Sequence, residues 1–299
     1  MWKYVFKKLI TLIPIMFGTT FIVFVVLYYF PPQHSMRLFS SSTIYFIADC
    51  DLTHGHAPSV LHLYIWYIMG VFEGDLGFSL ITGTPVALEV FARVPFTLQL
   101  GLTSLLASLV LAFPIGILAA VRKNTWIDKL IGFIALIGIS MPIFALGILL
   151  VALFLLPLPA ASGRPPLFLL PSTTLGFGMF CAMLRSIRAS FLEVIGQDYI
   201  TSARAKGLFK NKAICKHVLR NSFASSLSAF RTHLGDFFTG IVIVEFLFGR
   251  PGIGRFFVQR TLQLDYPMII ACIIIFVLCY FVINLTVDIA QAFIDPRTS

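Results

Sequence analysis

The residues in this 299-residue chain that could do chemistry are few and widely spaced. Five cysteines (Cys50, Cys181, Cys215, Cys272, Cys279) form no C-x-x-C pair, so no disulfide framework or thiolate metal site is expected. His34, His54, His56 and His62 sit in the N-terminal third, and only His54-x-His56 is a local pair. That is too little for a metal site, which needs three or four converging ligands. No Ser/His/Asp grouping suggests a hydrolase, and no G-x-x-x-x-G-K-[ST] motif is present to cradle a nucleotide phosphate. A lone His217 among basic residues reads as surface. No catalytic residue, metal or cofactor is therefore expected on this chain.

What remains is charge in apolar surroundings. Arg231, His233, Asp236, Glu245 and Asp288 lie within or beside long apolar runs. Ionisable groups are costly in lipid, so such residues face a cavity or a partner. Arg231 and Asp236 are about 140° apart on a helix, which makes them poor mutual partners. They either line a pathway or sit in water before their helix begins. Glu245 opens the stretch EFLFGRPGIG, where it is a candidate external gate or a helix-end residue, and Pro251-Gly252 is a candidate hinge.

A second pattern is QDYITSARAKGL, residues 197–208. Ala203 and Gly207 are four apart and share a helical face with other small residues nearby, Ser202 and Ala205. Such a face lets another body approach the backbone closely. Arg204, Lys206, Lys210, Lys212 and Lys216 keep the segment out of lipid. Two short helices across a membrane surface are expected, as a docking element or as a basic loop that only orients the chain.

The elements that must position these residues are membrane helices. The chain is 58% hydrophobic and 12% charged, against about 25% charged in a soluble domain. Six spans are expected: residues 9–30, 96–121, 130–156, 167–184 (interrupted by Pro171), 237–248 extended back toward Ser222, and 268–287. The first run is too long for a cleaved signal peptide and lacks an A-x-A-like site, so it reads as a retained anchor. With the N-terminus in the cytoplasm, Lys3, Lys7, Lys8, Arg122, Lys123, Lys129 and the basic run 204–220 lie inside. Outside are Arg37, Arg93, Arg164, Arg250, Arg255 and Arg260. This bias puts both termini inside and accounts for most of the net charge of +9 without nucleic acid. The division expected is a tip and first helix (1–30), an extracytoplasmic segment (31–92), a transmembrane domain (93–291) with a cytoplasmic loop (185–221), and a tail (292–299).

DYITSARAKGL followed by HVLRNS resembles the coupling loop of binding-protein-dependent ABC importer permeases of the dipeptide/oligopeptide/nickel family. GDLGFS, RVPFTL, PIGILAAVRKNTWIDKL, SMPIF, RPGIGR, DYP and DPR then occur in the family's order along nearly the whole chain. Thr201, Ser202, Ala203 and Gly207 stand at the family's Glu-Ala-Ala-x-x-x-Gly positions, with Thr201 in place of the Glu. After the first helix, Pro31-Pro32-Gln33-His34 replaces the usual Pro-Gly-Asp-Pro. The resemblance implies an all-α, polytopic type I ABC importer permease in a bacterial inner membrane. It implies a second related permease, two ATPase subunits holding ATP and Mg, and an extracytoplasmic solute-binding protein. Transport would be by alternating access, of peptides or a related solute such as a nickel complex. An ion-gradient-driven secondary transporter is the rival, although no internal repeat is visible.

If Thr201–Gly207, with Ala205 and Lys206, seats in an ATPase groove, a bulky side chain on its small face separates ATP hydrolysis from transport. Gly207→Trp should abolish ATP-driven uptake while the chain still inserts in the membrane. Normal uptake by that variant would exclude the docking role.

Overall fold

The computed structural model describes residues 2–29, 59–154, 168–195 and 231–294. Its helices are α1 (Trp2–Tyr29), α2 (Val60–Glu73), α3 (Val86–Phe91), α4 (Val94–Val121), α5 (Trp126–Ser140), α6 (Ile143–Phe154), α7 (Leu169–Ile195), α8 (Leu234–Leu247), α9 (Ile253–Leu262) and α10 (Tyr266–Ile294). Among the described residues, the only extended pairing is an isolated antiparallel bridge between Phe78 and Pro85.

Among these residues, three helical stretches are long and apolar enough to cross a membrane: Val86–Val121, Leu169–Glu193 and Tyr266–Gln291. The pair α5 and α6, bent by 105°, passes the same length and hydropathy requirement only when taken together, as a broken span or a re-entrant loop. Residues 130–156, expected as one continuous span, are instead broken at Met141-Pro142. Pro142 has no N–H and disfavours helical backbone in the residue before it, and Met141 is extended (φ −85°, ψ 123°). Pro171, expected to interrupt the next span, lies instead in the first turn of α7, where its missing N–H would have had no intrahelical acceptor. α7 then runs through Arg185 and Arg188 to Ile195, so the loop expected from residue 185 is still helical there. α1 carries a shorter apolar stretch, Ile13–Leu27. α8 has 14 residues and is separated by a turn at His233 from helical residues 231–232; the rest of its expected extension toward Ser222 lies outside the described residues.

The chain divides into two compact units. One comprises Met1–Val5, Leu98–Phe248 and Val282–Ser299. Here α7 packs against α5, α6 and α8. Apolar burial drives little association between helices already in lipid, so close approach through small residues matters. Gly138 on α5 lies against Cys181 and Phe177 of α7, and Gly147 on α6 lies against Leu247 of α8. Ser108 on α4 donates to the Gly176 carbonyl of α7 at 2.7 Å as well as to its own helix at Ser104 (2.6 Å).

The turn between α4 and α5 carries the RKNTWID stretch. Asn124 takes a left-handed conformation (φ 65°), which Asn tolerates better than most residues. Its N–H donates to Asp128 Oδ2 at 3.0 Å. Asp128, buried in the first turn of α5, receives Arg188 Nε at 2.6 Å and Nη2 at 2.9 Å. This bidentate pair fixes the α4–α5 turn to α7.

The other unit comprises Phe6–Thr97 and Gly249–Phe281. Tyr64 of α2 packs edge-on against Phe21 and Phe24 of α1, with ring centroids at 5.0 and 5.6 Å. A second cluster joins Val86 and Val90 of α3 to Phe256 of α9 and to Met268 and Cys272 of α10.

Gly138 and Gly132 give a matched test. A Cβ at Gly138 would press on Cys181 and Phe177, whereas one at Gly132 would meet open space. Gly138→Ala should destabilise by about 1–3 kcal/mol through overpacking. Gly132→Ala should stabilise by up to about 1 kcal/mol through helix propensity. Thermal unfolding midpoints in one detergent check the opposite signs.

Candidate functional site

Beside the α5–α6 break is an open cavity of about 370 Å³. Gly138 and Met141 reach it from α5 and the break, Leu175, Gly178 and Met179 from α7, and Thr239, Gly240 and Ile243 from α8. Asp236 and His233 add ionisable groups to a largely apolar wall. Residues 236, 239, 240 and 243 recur at helical spacing, so one face of α8 is turned to the cavity. The size falls near the low end of small-molecule sites, about 300–1,000 Å³.

The structure separates residues that the sequence treated together. α8 begins at Leu234, which places Asp236 in its first turn, where the helix dipole favours a carboxylate. Arg231 is bound elsewhere: its Nη1 donates to Asp288 Oδ1 of α10 at 2.6 Å, with Asp288 buried and Arg231 half exposed. That pair spans 57 residues, so no local pattern reveals it. Glu245 is fully buried on α8. Gly252, expected to supply unusual dihedrals, is extended (φ −90°, ψ 178°) at the start of α9. The left-handed residue is Gly249 (φ 66°), whose carbonyl accepts from Arg255. Pro251 is exposed between them.

Thr201, Ser202, Ala203, Ala205, Lys206 and Gly207 lie outside the described residues, as do His34, His54, His56 and His217. Cys181, Cys272 and Cys279 are free thiols within helices. Among the described residues, no three His, Cys, Asp or Glu groups are placed to hold a metal ion.

The second unit brings together four motifs that the sequence shows only as fragments. Asp265, the first residue of DYP, is fully buried and immediately precedes α10. Its carboxylate accepts from Ser79 Oγ of GDLGFS at 2.5 Å, from Leu80 N–H at 3.2 Å and from Arg260 Nη1 at 3.2 Å. Ser79 Oγ in turn accepts from the N–H groups of Ile81 and Thr82. Thr97 of RVPFTL accepts from the Ile253 N–H of RPGIGR at 2.8 Å, which satisfies a free donor in the first turn of α9. The Arg93 and Arg260 guanidiniums lie 3.9 and 4.8 Å from the Phe256 ring centroid, and Arg93 also pairs with Glu89 at 2.6 Å.

Residues 112–299 match the model of the binding-protein-dependent transport system inner membrane component. The chain belongs to that family. It is an inner-membrane permease subunit of an ABC importer, and ATP is hydrolysed by a separate ATPase partner. A glutathione transport system permease protein GsiC from Escherichia coli K12 is 36% identical over 99% of this chain and 98% of its own length. The GsiC of Shigella dysenteriae serotype 1 matches to the same extent. A solved structure described as an amino acid ABC transporter with histidines is 15% identical and superposes with a TM-score of 0.50, over 77% of this chain and 98% of that one. It shares the polytopic helical fold. These matches support an ABC importer and give no support to the ion-gradient-driven alternative. The permease therefore works with an ATPase and a solute-binding protein in the bacterial inner membrane.

The Asp265 node can be tested by its energetics. Asp265→Ala leaves Arg260 largely buried without its carboxylate, a loss of about 3–5 kcal/mol for a broken buried pair. Ser79→Ala removes one donor to Asp265 and the acceptor of the Ile81 and Thr82 N–H groups, and should cost about 1–3 kcal/mol. Ranking the two by thermal stability in detergent checks that Asp265, not Ser79, is the centre of the node.

Proposed function

We propose that the cavity beside the α5–α6 break lines the path of a small peptide-like solute. The observation that carries this reading is its construction: a face of α8 bearing Asp236 and Thr239 opposes a broken helix across apolar walls. Asp236 is the one carboxylate among the lining residues and suits the ammonium group of a peptide. The glutathione permeases, similar over their whole length, point to the same solute class. In this reading a second related permease completes the path, and both termini are cytoplasmic. The transmembrane domain 93–291 carries the coupling segment within 185–221, and Thr201–Gly207 docks on the ATPase, which binds ATP and Mg. Closure of the ATPase pulls on that segment, which precedes α8 in the chain, and α8 moves the cavity between its two accessible states. Arg231 anchors the entry of α8 to Asp288. Glu245 and the Pro251-Gly252 turn are assigned to the external gate.

The test is ATP-driven uptake of labelled glutathione and short peptides by the complete importer in proteoliposomes. Asp236→Asn should reduce uptake several-fold, with the ATPase still copurifying. Unchanged uptake would take Asp236 off the path. Arg231→Ala should weaken the coupling of ATP hydrolysis to uptake more than it weakens assembly.

A further inference from the structure

We infer that α2, in the segment expected to lie outside the membrane, is a re-entrant helix whose exposed face contacts lipid acyl chains. The argument begins with α1. Its charge-free run, residues 9–30, is about as long as the hydrocarbon core is thick, about 30 Å at 1.5 Å per residue. Thr20 lies at the middle of that run. Thr20 Oγ1 is 2.8 Å from the Tyr64 hydroxyl of α2, and the same hydroxyl donates to the Phe17 carbonyl at 2.8 Å. A tyrosine side chain is shorter than half the core, about 15 Å. The α2 backbone at Tyr64 therefore lies below the membrane surface. Phe72, the penultimate residue of α2, is also at α1 depth, with its ring 6.3 Å from that of Phe17.

α2 is too short to cross. Its 14 residues span about 21 Å. An apolar helix of this length is a buried, interfacial or re-entrant element; one face of α2 is not buried, and the Tyr64 contact with the middle of α1 favours re-entry over the interface. Leu61, Ile65, Trp66, Met69 and Phe72 are 39–78% exposed and form a stripe at three-, four- and five-residue spacing. From Val60 to Phe72 the helix has no Asp, Glu, Lys or Arg. α1 likewise exposes apolar residues, at Ile15, Ile22 and Val26. Both ends of α2 are capped, as a helix ending in a poorly hydrated place requires. Ser59 Oγ accepts from the His62 N–H, and a left-handed Gly74 (φ 86°) closes the other end, with Asp75 N–H donating to the Gly70 carbonyl at 2.9 Å. Charges return at Glu73 and Asp75, where the chain turns toward Ser79 and the Asp265 node.

The experiment places a fluorescent amino acid at Met69, and in a second variant at Ile65, within the complete importer in proteoliposomes. A probe replacing Lys123, exposed in the polar turn between α4 and α5, is the aqueous reference. Only variants that copurify with the ATPase are read. Doxyl groups on acyl chains should quench the probes at 69 and 65 several-fold more than the probe at 123, with iodide showing the reverse order. Iodide quenching at 69 and 65 equal to that at 123 would place α2 in water and overturn the inference. Protection from both quenchers would overturn it equally, because a protein partner would then cover the stripe.

Discussion

Backbone polar groups freed inside a membrane must be covered by protein, and the break at Met141-Pro142 imposes that requirement on the first unit. Pro142 removes an N–H, and the 105° bend ends one helix and starts another within a single apolar run. The ends are partly closed locally: Met141 N–H donates to the Ile137 carbonyl, and Ala145 N–H to that of Pro142. The rest of the requirement falls on neighbours. α7 supplies them through Gly138 and Cys181, and α8 through Gly147 and Leu247. The cavity opens beside that break, with Gly138, Met141 and Ile143 in its wall.

Charge follows an equivalent rule. Asp128, Asp265 and Asp288 are buried, and each is held by an arginine. Each pair also joins segments far apart in sequence or a turn to a helix start. Asp128 ties the α4–α5 turn to α7, Asp288 receives the chain as it enters α8, and Asp265 gathers GDLGFS to the N-terminus of α10. Asp236 differs: it lines a cavity in the first turn of α8, and among the described residues no arginine pairs with it.

The family motifs gain a physical meaning from these contacts. GDLGFS, RVPFTL, RPGIGR and DYP are individually short, and nothing in any one of them states its purpose. In the fold they are joined in pairs, GDLGFS to DYP through Ser79 and Asp265 and RVPFTL to RPGIGR through the Thr97–Ile253 bond, with Arg93 and Arg260 meeting on the Phe256 ring. The glycines contribute where φ is positive, at Gly77 and Gly249, and not at Gly252.

The sequence by itself determined that the protein lives in lipid, that most of its apolar runs are helices, and which family it belongs to. Hydropathy needs no partner to be read, and motif order survives as a linear string. α10 begins within two residues of its expected start for that reason. The tertiary structure decided everything that depends on who is opposite whom. It set the partner of Arg231 as Asp288 rather than any near neighbour, and the fate of Pro142 as a break while Pro171 became an ordinary first-turn proline. It also set α2 beside the middle of α1, although the segment around it reads as external. An apolar run of 14 residues has the same composition whether it packs in a core, lies on a surface or dips into a membrane. The contacts of Tyr64 with Phe17 and Thr20, and of Phe72 with Phe17, set it against the middle of α1.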